Sequence, residues 1–466
     1  MANILYLIHK KKFDLSLSNY LENFHRMYLM TSNPMIGFFL DTQQKKATKL
    51  FAIYPCKKHT DLNGYHKQAL QDTEIYNKSQ NDILIQTLER LCFSYLQFMD
   101  HFIEKHKIDL VITSEKSFLD VACITETAKK YNIPVCYLGA GFFRGESLTL
   151  SFERIYPDKP EIWAKRLLGA KHRPIIKSGT IPEIPFYPKK FKTPPTLLSL
   201  WQKLKYQRNP FWTKIHSDMK PSRSLIKEFK HRAKKKRAHK FISDNNTTIC
   251  EPFILLPLQG NEICKQVYNP LCIRDMEHLT SIVANAVARL NRTVENPFLL
   301  VVKDHPNRPC VISRSFKKQL SNILYLSHCP IEPLLEKTKL IVTFNSLSGF
   351  EALFKCKPVV TLGPVFYAQP DLVSPVLDLD MVADTMKQAL DKKINKTAFD
   401  RFVNFLKQHY NIKCPDFSQK KPSTEGLHLI ASRIAGILEF SRNNSANPGV
   451  WTSGIFEKNE NSLLLP

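Results

Sequence analysis

The stretch from Asp109 to Leu138, DLVITSEKSFLDVACITETAKKYNIPVCYL, decides the fold. Leu110–Thr113 is a short apolar run, Leu119–Tyr131 reads as a helix, and Pro134–Leu138 is a second short apolar run. Strand, helix and strand in this order make a βαβ unit, whose strands pair in parallel because the helix carries the chain back across the sheet. The same rhythm extends towards the N-terminus. Strands are expected at Asn3–Ile8, Ile36–Leu40 and Leu50–Tyr54, and Asp82–His106 carries Leu84, Leu88, Leu91, Tyr95, Phe98 and Phe102 at helical spacing.

Beyond about residue 185 the pattern breaks. Pro188, Pro194 and Pro195 open a segment in which Lys220–Lys240 is densely basic, so residues 186–245 read as an insertion or connector. The α/β rhythm then resumes over 246–420. Strands are expected at Phe253–Leu258, Phe298–Lys303, Leu340–Phe344 and Val359–Leu362, with helices at Met276–Arg292, Ile331–Thr338 and Gly349–Lys355. Residues 421–466 hold one amphipathic helix, Gly426–Phe440, and a tail. The expected fold class is therefore α/β: two Rossmann-like parallel-sheet domains with a cleft between them, ligands sitting beyond the carboxyl ends of strands.

Composition narrows the function. The 466 residues carry 67 Lys+Arg against 42 Asp+Glu, a formal net charge of +25, which favours anionic partners. Eleven cysteines include no CxxC pair and no zinc-finger spacing, so they read as buried thiols in a reducing compartment. The apolar start is too short for a signal peptide, and no run of about 18 apolar residues suggests a spanning helix. The expectation is a cytoplasmic protein, soluble or peripheral at a membrane. Phosphate-loop, GxGxxG, HExxH and GxSxG motifs are missing, which removes kinase, dehydrogenase, zincin and serine-hydrolase readings.

Three strand ends in the second domain carry chemistry. Phe298–Val302 runs into Lys303, Asp304, His305 and Pro306, a cation and an imidazole two residues apart; the alternative is a plain basic turn. Ile341–Phe344 runs into Asn345, Ser346, Leu347, Ser348 and Gly349, then a helix. That shape suits an anion at a helix N-terminus, with Glu351 placed to take ribose hydroxyls. Ser348-x-x-Glu351 also reads as a capping box that needs no ligand. Phe253–Leu256 ends in Pro257, Leu258, Gln259, Gly260, Asn261 and Glu262, with Glu262 the sole carboxylate of that loop.

At these residues the chain resembles bacterial capsule polysaccharide biosynthesis proteins, cytoplasmic glycosyltransferases that add Kdo (3-deoxy-D-manno-octulosonic acid) from CMP-Kdo. The resemblance lies in Pro257-Leu258-Gln259, in Lys303-Asp304-His305-Pro306, in the block Thr343–Leu353, in Lys357-Pro358-Val359-Val360-Thr361-Leu362-Gly363 followed by Phe366-Tyr367, and in Gly141-Phe142-Phe143-Arg144 before Leu148-Thr149-Leu150. It implies a GT-B arrangement, an acceptor-side first domain and a CMP-sugar donor held mainly by the second. Lys303, His305, Ser346 and Ser348 would hold the CMP phosphate and Glu351 the ribose, with Gln259, Asn345 and Gly349 in the same site. Glu262 stands nearest the acidic position that serves the chemistry, with His305 as its catalytic partner, and Arg144 and Glu146 lie on the acceptor side. Two departures concern the sugar and the stereochemical outcome more than the fold. Glu262 replaces the family aspartate, and Gly139 stands where the family tends to carry an acid.

A CMP leaving group is a phosphate monoester, which lysine, imidazole, hydroxyls and a helix N-terminus can stabilise without a metal or cofactor. Asp378-Leu379-Asp380 is the one DxD-like string and stands apart from the three strand ends. The alternatives are a CMP-sialic acid or UDP-sugar donor on the same scaffold, and a non-catalytic basic binder. For the basic segment, Trp201 and Trp212 among leucines and lysines suggest contact with an anionic membrane, a plain solvated insertion is an equal alternative, and nucleic acid ranks below both.

Overall fold

The computed structural model describes residues 1–9, 11–53, 64–73, 82–114, 118–143, 145, 147–152, 178–184, 249, 251–260, 271–305, 312–319, 323–326, 329–369, 371–414 and 423–443. These form two compact units, and the chain passes from the second to the first within the helix Lys396–His409. Each unit is a parallel-sheet α/β layer structure.

The first unit pairs β1 (Asn3–Leu7), β2 (Arg26–Thr31), β3 (Ala47–Lys49), β4 (Leu110–Ser114) and β5 (Val135–Ala140) in parallel, in the order β3-β2-β1-β4-β5. An antiparallel strand, β6 (Ser147–Ser151), and the short strand Asn411–Lys413 complete the edge. β1 and β4 are continuous apolar runs because helices cover both faces of the sheet. On one face Leu5, Leu7 and Val111 pack with Leu91, Tyr95 and Leu96 of the helix Asp82–His106. On the other, Ile4, Tyr6 and Ile112 pack with Leu427, Ile430 and Ile434 of the helix Thr424–Asn443.

The second unit is β9-β8-β7-β10-β11-β12, every pair parallel. Its strands are β7 (Phe253–Pro257), β8 (Leu299–Lys303), β9 (Ile323–Leu326), β10 (Leu340–Thr343), β11 (Val359–Thr361) and β12 (Ser374–Pro375). In both units the chain winds outward from one strand, then restarts on that strand's other side. This is the doubly wound topology, with a switch point between β1 and β4 in the first unit and between β7 and β10 in the second.

Three expectations are corrected. Ile36–Leu40 is not a strand: it lies in the helix Pro34–Thr42, whose start is set by Pro34 and by Asn33, whose side chain accepts from the Ile36 N–H at 3.4 Å. In the expected strand Leu50–Tyr54, whose last residue lies outside the described ones, Leu50–Ile53 is likewise no strand: β3 ends at Lys49 and Leu50–Ala52 is a turn of 3₁₀ helix. Residues 411–413, expected within a second domain running to about 420, pair with β6 of the first sheet, Asn411 opposite Thr149. The basic segment Lys220–Lys240, Trp201 and Trp212 lie outside the described residues.

Candidate functional site

The second unit brings three of the predicted strand ends to one edge. β7 lies between β10 and β8, so Gln259, leaving β7, is flanked by Asn345 and Ser346 from β10 and by Lys303 from β8. Pro257 stands opposite Lys303 in the β7–β8 register, and the Leu258 N–H donates to the Lys303 carbonyl at 2.8 Å. Across the switch point, the Asn345 N–H donates to Gln259 Oε1 at 3.4 Å.

Lys303 is 4% exposed, and its Nζ donates to the Asp304 carbonyl at 3.0 Å. A buried ammonium is costly unless held by polar partners, and the Asp304 carbonyl is one of them. The Lys303 charge reaches Cys329: burial pushes that thiol up, and the lysine opposes the shift. His305 is half-buried beside it.

The helix Leu347–Phe354 begins directly after β10. Its cap is Ser346, whose Oγ accepts from the Ser348 N–H at 3.2 Å and donates to Ser348 Oγ at 3.2 Å. Ser348 is thus a buried first-turn residue, and the Ser348–Glu351 capping box does not form. Gly349 makes room for Tyr367: a Cβ there would stand 2.2 Å from the tyrosine oxygen. The Tyr367 hydroxyl donates to the Ser346 carbonyl, and burial, with the nearby Glu351 charge, pushes it far above its usual value.

Asn345 Oδ1, just before this helix, is buried without a hydrogen-bond partner, as are Thr361 Oγ1 at the end of β11 and Gln369 Nε2. An unsatisfied buried polar atom costs about 1–3 kcal/mol, so the Asn345 oxygen beside this helix N-terminus fits an edge that meets a polar ligand. Gly141, in the first unit, is also explained by packing: a Cβ there would lie 2.0 Å from Ser147 Oγ, in the tight turn that joins β5 to β6. Glu262, Arg144 and Glu146 lie outside the described residues. Asp378 caps its own 3₁₀ turn by accepting from the Asp380 N–H at 3.0 Å. Among the described residues no three His, Cys, Asp or Glu side chains gather as a metal site requires, and no helix is long and apolar enough to cross a membrane.

"Capsule polysaccharide export protein KpsS" of Escherichia coli is 31% identical over 113 residues, a match covering 22% of this chain and 29% of that protein's length. Among solved structures, the β-Kdo 2,7 transferase KpsC of Thermosulfurimonas dismutans is 13% identical, over 72% of this chain and 88% of that one, with a TM-score of 0.35. The UDP-GlcNAc 2-epimerase of Neisseria meningitidis is 13% identical, over 94% and 100%, also with a TM-score of 0.35. The model of the family described as "Capsule polysaccharide biosynthesis protein" matches residues 121–375, more than half of the chain and all three strand ends of the site. With the motifs in order and the match running through them, the chain belongs to the capsule polysaccharide biosynthesis protein family.

Proposed function

We propose that this protein is a glycosyltransferase that moves Kdo, or a related ulosonic acid, from a CMP-sugar to a lipid-linked or surface polysaccharide acceptor, without a metal. The observation that carries the reading is the edge of the second sheet, where the buried Lys303 and the capped helix start at Ser346 flank the β7–β10 switch point. A phosphate monoester suits a lone lysine and helix N–H groups, which need no divalent ion to offset its charge. The KpsS likeness and the family match support a place in capsule assembly. In this reading His305 lies against the leaving phosphate, Glu351 takes ribose hydroxyls, and Glu262 is the carboxylate that acts at the anomeric carbon as base or nucleophile. Arg144 and Glu146 serve the acceptor side. Contact with an anionic membrane through the basic segment would bring the enzyme to a lipid-linked acceptor.

Turnover tests it. Purified protein given CMP-Kdo and a glycan acceptor should release CMP, and Glu262→Gln should stop release while CMP still binds. Release from other CMP-sugars alone rejects Kdo as the donor sugar.

A further inference from the structure

The first sheet has its own switch point, between β1 and β4, and polar side chains from three loops meet there. His9 follows β1, Ser32 follows β2, and Asp120 lies in the first turn of the helix Leu119–Lys130, after β4. Asp14 fixes the first loop: its Oδ2 accepts from the His9 N–H at 2.8 Å and its Oδ1 from the Tyr6 hydroxyl at 2.9 Å. The His9 ring rests near Phe118, centroids 5.6 Å apart. Asp120 accepts from Ser32 Oγ at 2.5 Å through Oδ2 and from the Val121 N–H at 2.9 Å through Oδ1.

One contact is left open. His9 Nε2 stands 4.0 Å from Asp120 Oδ2, the two side chains being 8% and 1% exposed, and Nε2 has no hydrogen-bond partner. Ser114 Oγ, at the end of β4, is also buried and unpartnered. A gap of this size is too long for a hydrogen bond, yet an oxygen about 2.8 Å from each atom spans it. That oxygen must donate to the carboxylate and also pair with the imidazole, and a hydroxyl does both. A hydroxyl suits the place better than a phosphate, because among the described residues the buried Asp120 carboxylate stands on one side of the gap and would repel an anion.

We propose that this edge of the first sheet recognises hydroxyl groups: an oxygen of a polyhydroxylated ligand, the glycan acceptor, bridges His9 Nε2 and Asp120 Oδ2. The choice of a glycan rests on the glycosyltransferase reading; the other source of such an oxygen is a resident water.

The experiment is histidine-ring NMR on the full chain with ¹³C-labelled histidine. The His9 signal is assigned by its loss in His9→Gln, and independently by its displacement in Asp120→Asn. The methyl glycosides of Kdo and of glucose are titrated to millimolar concentration, and CMP is added separately. A saturable shift of the His9 signal with either glycoside, weakened about tenfold in Asp120→Asn, is the expected result. A His9 signal that neither glycoside moves overturns the proposal and leaves a water-filled bridge. The His305 signal reports separately on the donor edge. If CMP leaves His305 unmoved, the CMP-sugar reading of the donor edge fails, whatever His9 does.

Discussion

Gly349 lies directly under the Tyr367 hydroxyl: a Cβ at position 349 would stand 2.2 Å from the tyrosine oxygen and 2.9 Å from its Cζ. The tyrosine is fully buried and anchors the Ser346 carbonyl, so the glycine keeps the helix cap and the aromatic core in register. Gly349→Ala overpacks this contact and should cost about 1–3 kcal/mol. Tyr367→Phe removes one buried hydrogen bond, worth about 1 kcal/mol. The two residues touch, so the double variant should lose less than the sum of the singles. Denaturant unfolding of the four proteins measures the coupling; strict additivity contradicts the contact.

Lys303→Met keeps an unbranched side chain, one atom shorter, and removes its charge. Losing a charge-assisted hydrogen bond to phosphate costs about 1.5–3 kcal/mol, so CMP should bind at least about tenfold more weakly. The melting temperature should not fall, because the methionine leaves no buried cation to be solvated. Wild-type CMP affinity in this variant would place the phosphate elsewhere.

Burial lowers His25 below the usual histidine value, helped by the positive Arg442 and opposed by Asp109, and burial likewise lowers His66 against the pull of Asp100. Both folded values are depressed, so the neutral rings favour folding above the unfolded value of about 6.5. That stability is lost as pH falls through the folded values. The melting temperature should therefore drop as the pH falls below about 6.5. The drop should be shallower in His25→Gln combined with His66→Gln, as thermal melts at stepped pH will read.

Ile434 is fully buried on the helix Thr424–Asn443, in the core of the first sheet. Ile434→Ala should cost about 2–5 kcal/mol. Hydrogen exchange should speed up in β1 and β4 and stay unchanged in β7 and β10. Equal loosening in both units contradicts the assignment of this helix to the first.

The sequence made the second unit legible because its central strands are buried on both faces. Phe253–Leu256 and Leu340–Val342 are unbroken apolar runs, and each stops where polar residues leave the sheet. Elsewhere, tertiary context decided. Met35–Leu40 is apolar enough for a strand, and only the Asn33 cap and Pro34 mark it as helix. β2, Arg26–Thr31, was missed because its first half is exposed or half-buried and shows no alternation. Asn411–Lys413 is three residues long and pairs with a partner some 260 positions earlier, a relationship no local pattern encodes. At the site, Lys303 and Ser346 could be read from their places at strand ends. The role of Gly349 could not, since it depends on an aromatic ring 18 residues further on. His9 and Asp120 meet only through the parallel register that sets Tyr6 opposite Ile112.

The central claim is that the carboxyl edge of the second sheet holds the CMP of a CMP-sugar. Calorimetric titration of the purified chain with CMP, UDP and GDP, without added metal, tests it most directly. The account predicts saturable CMP binding at least about tenfold tighter than that of UDP or GDP, a preference of about 1.4 kcal/mol or more. UDP binding as tightly as CMP, or no nucleotide binding at all, would contradict it.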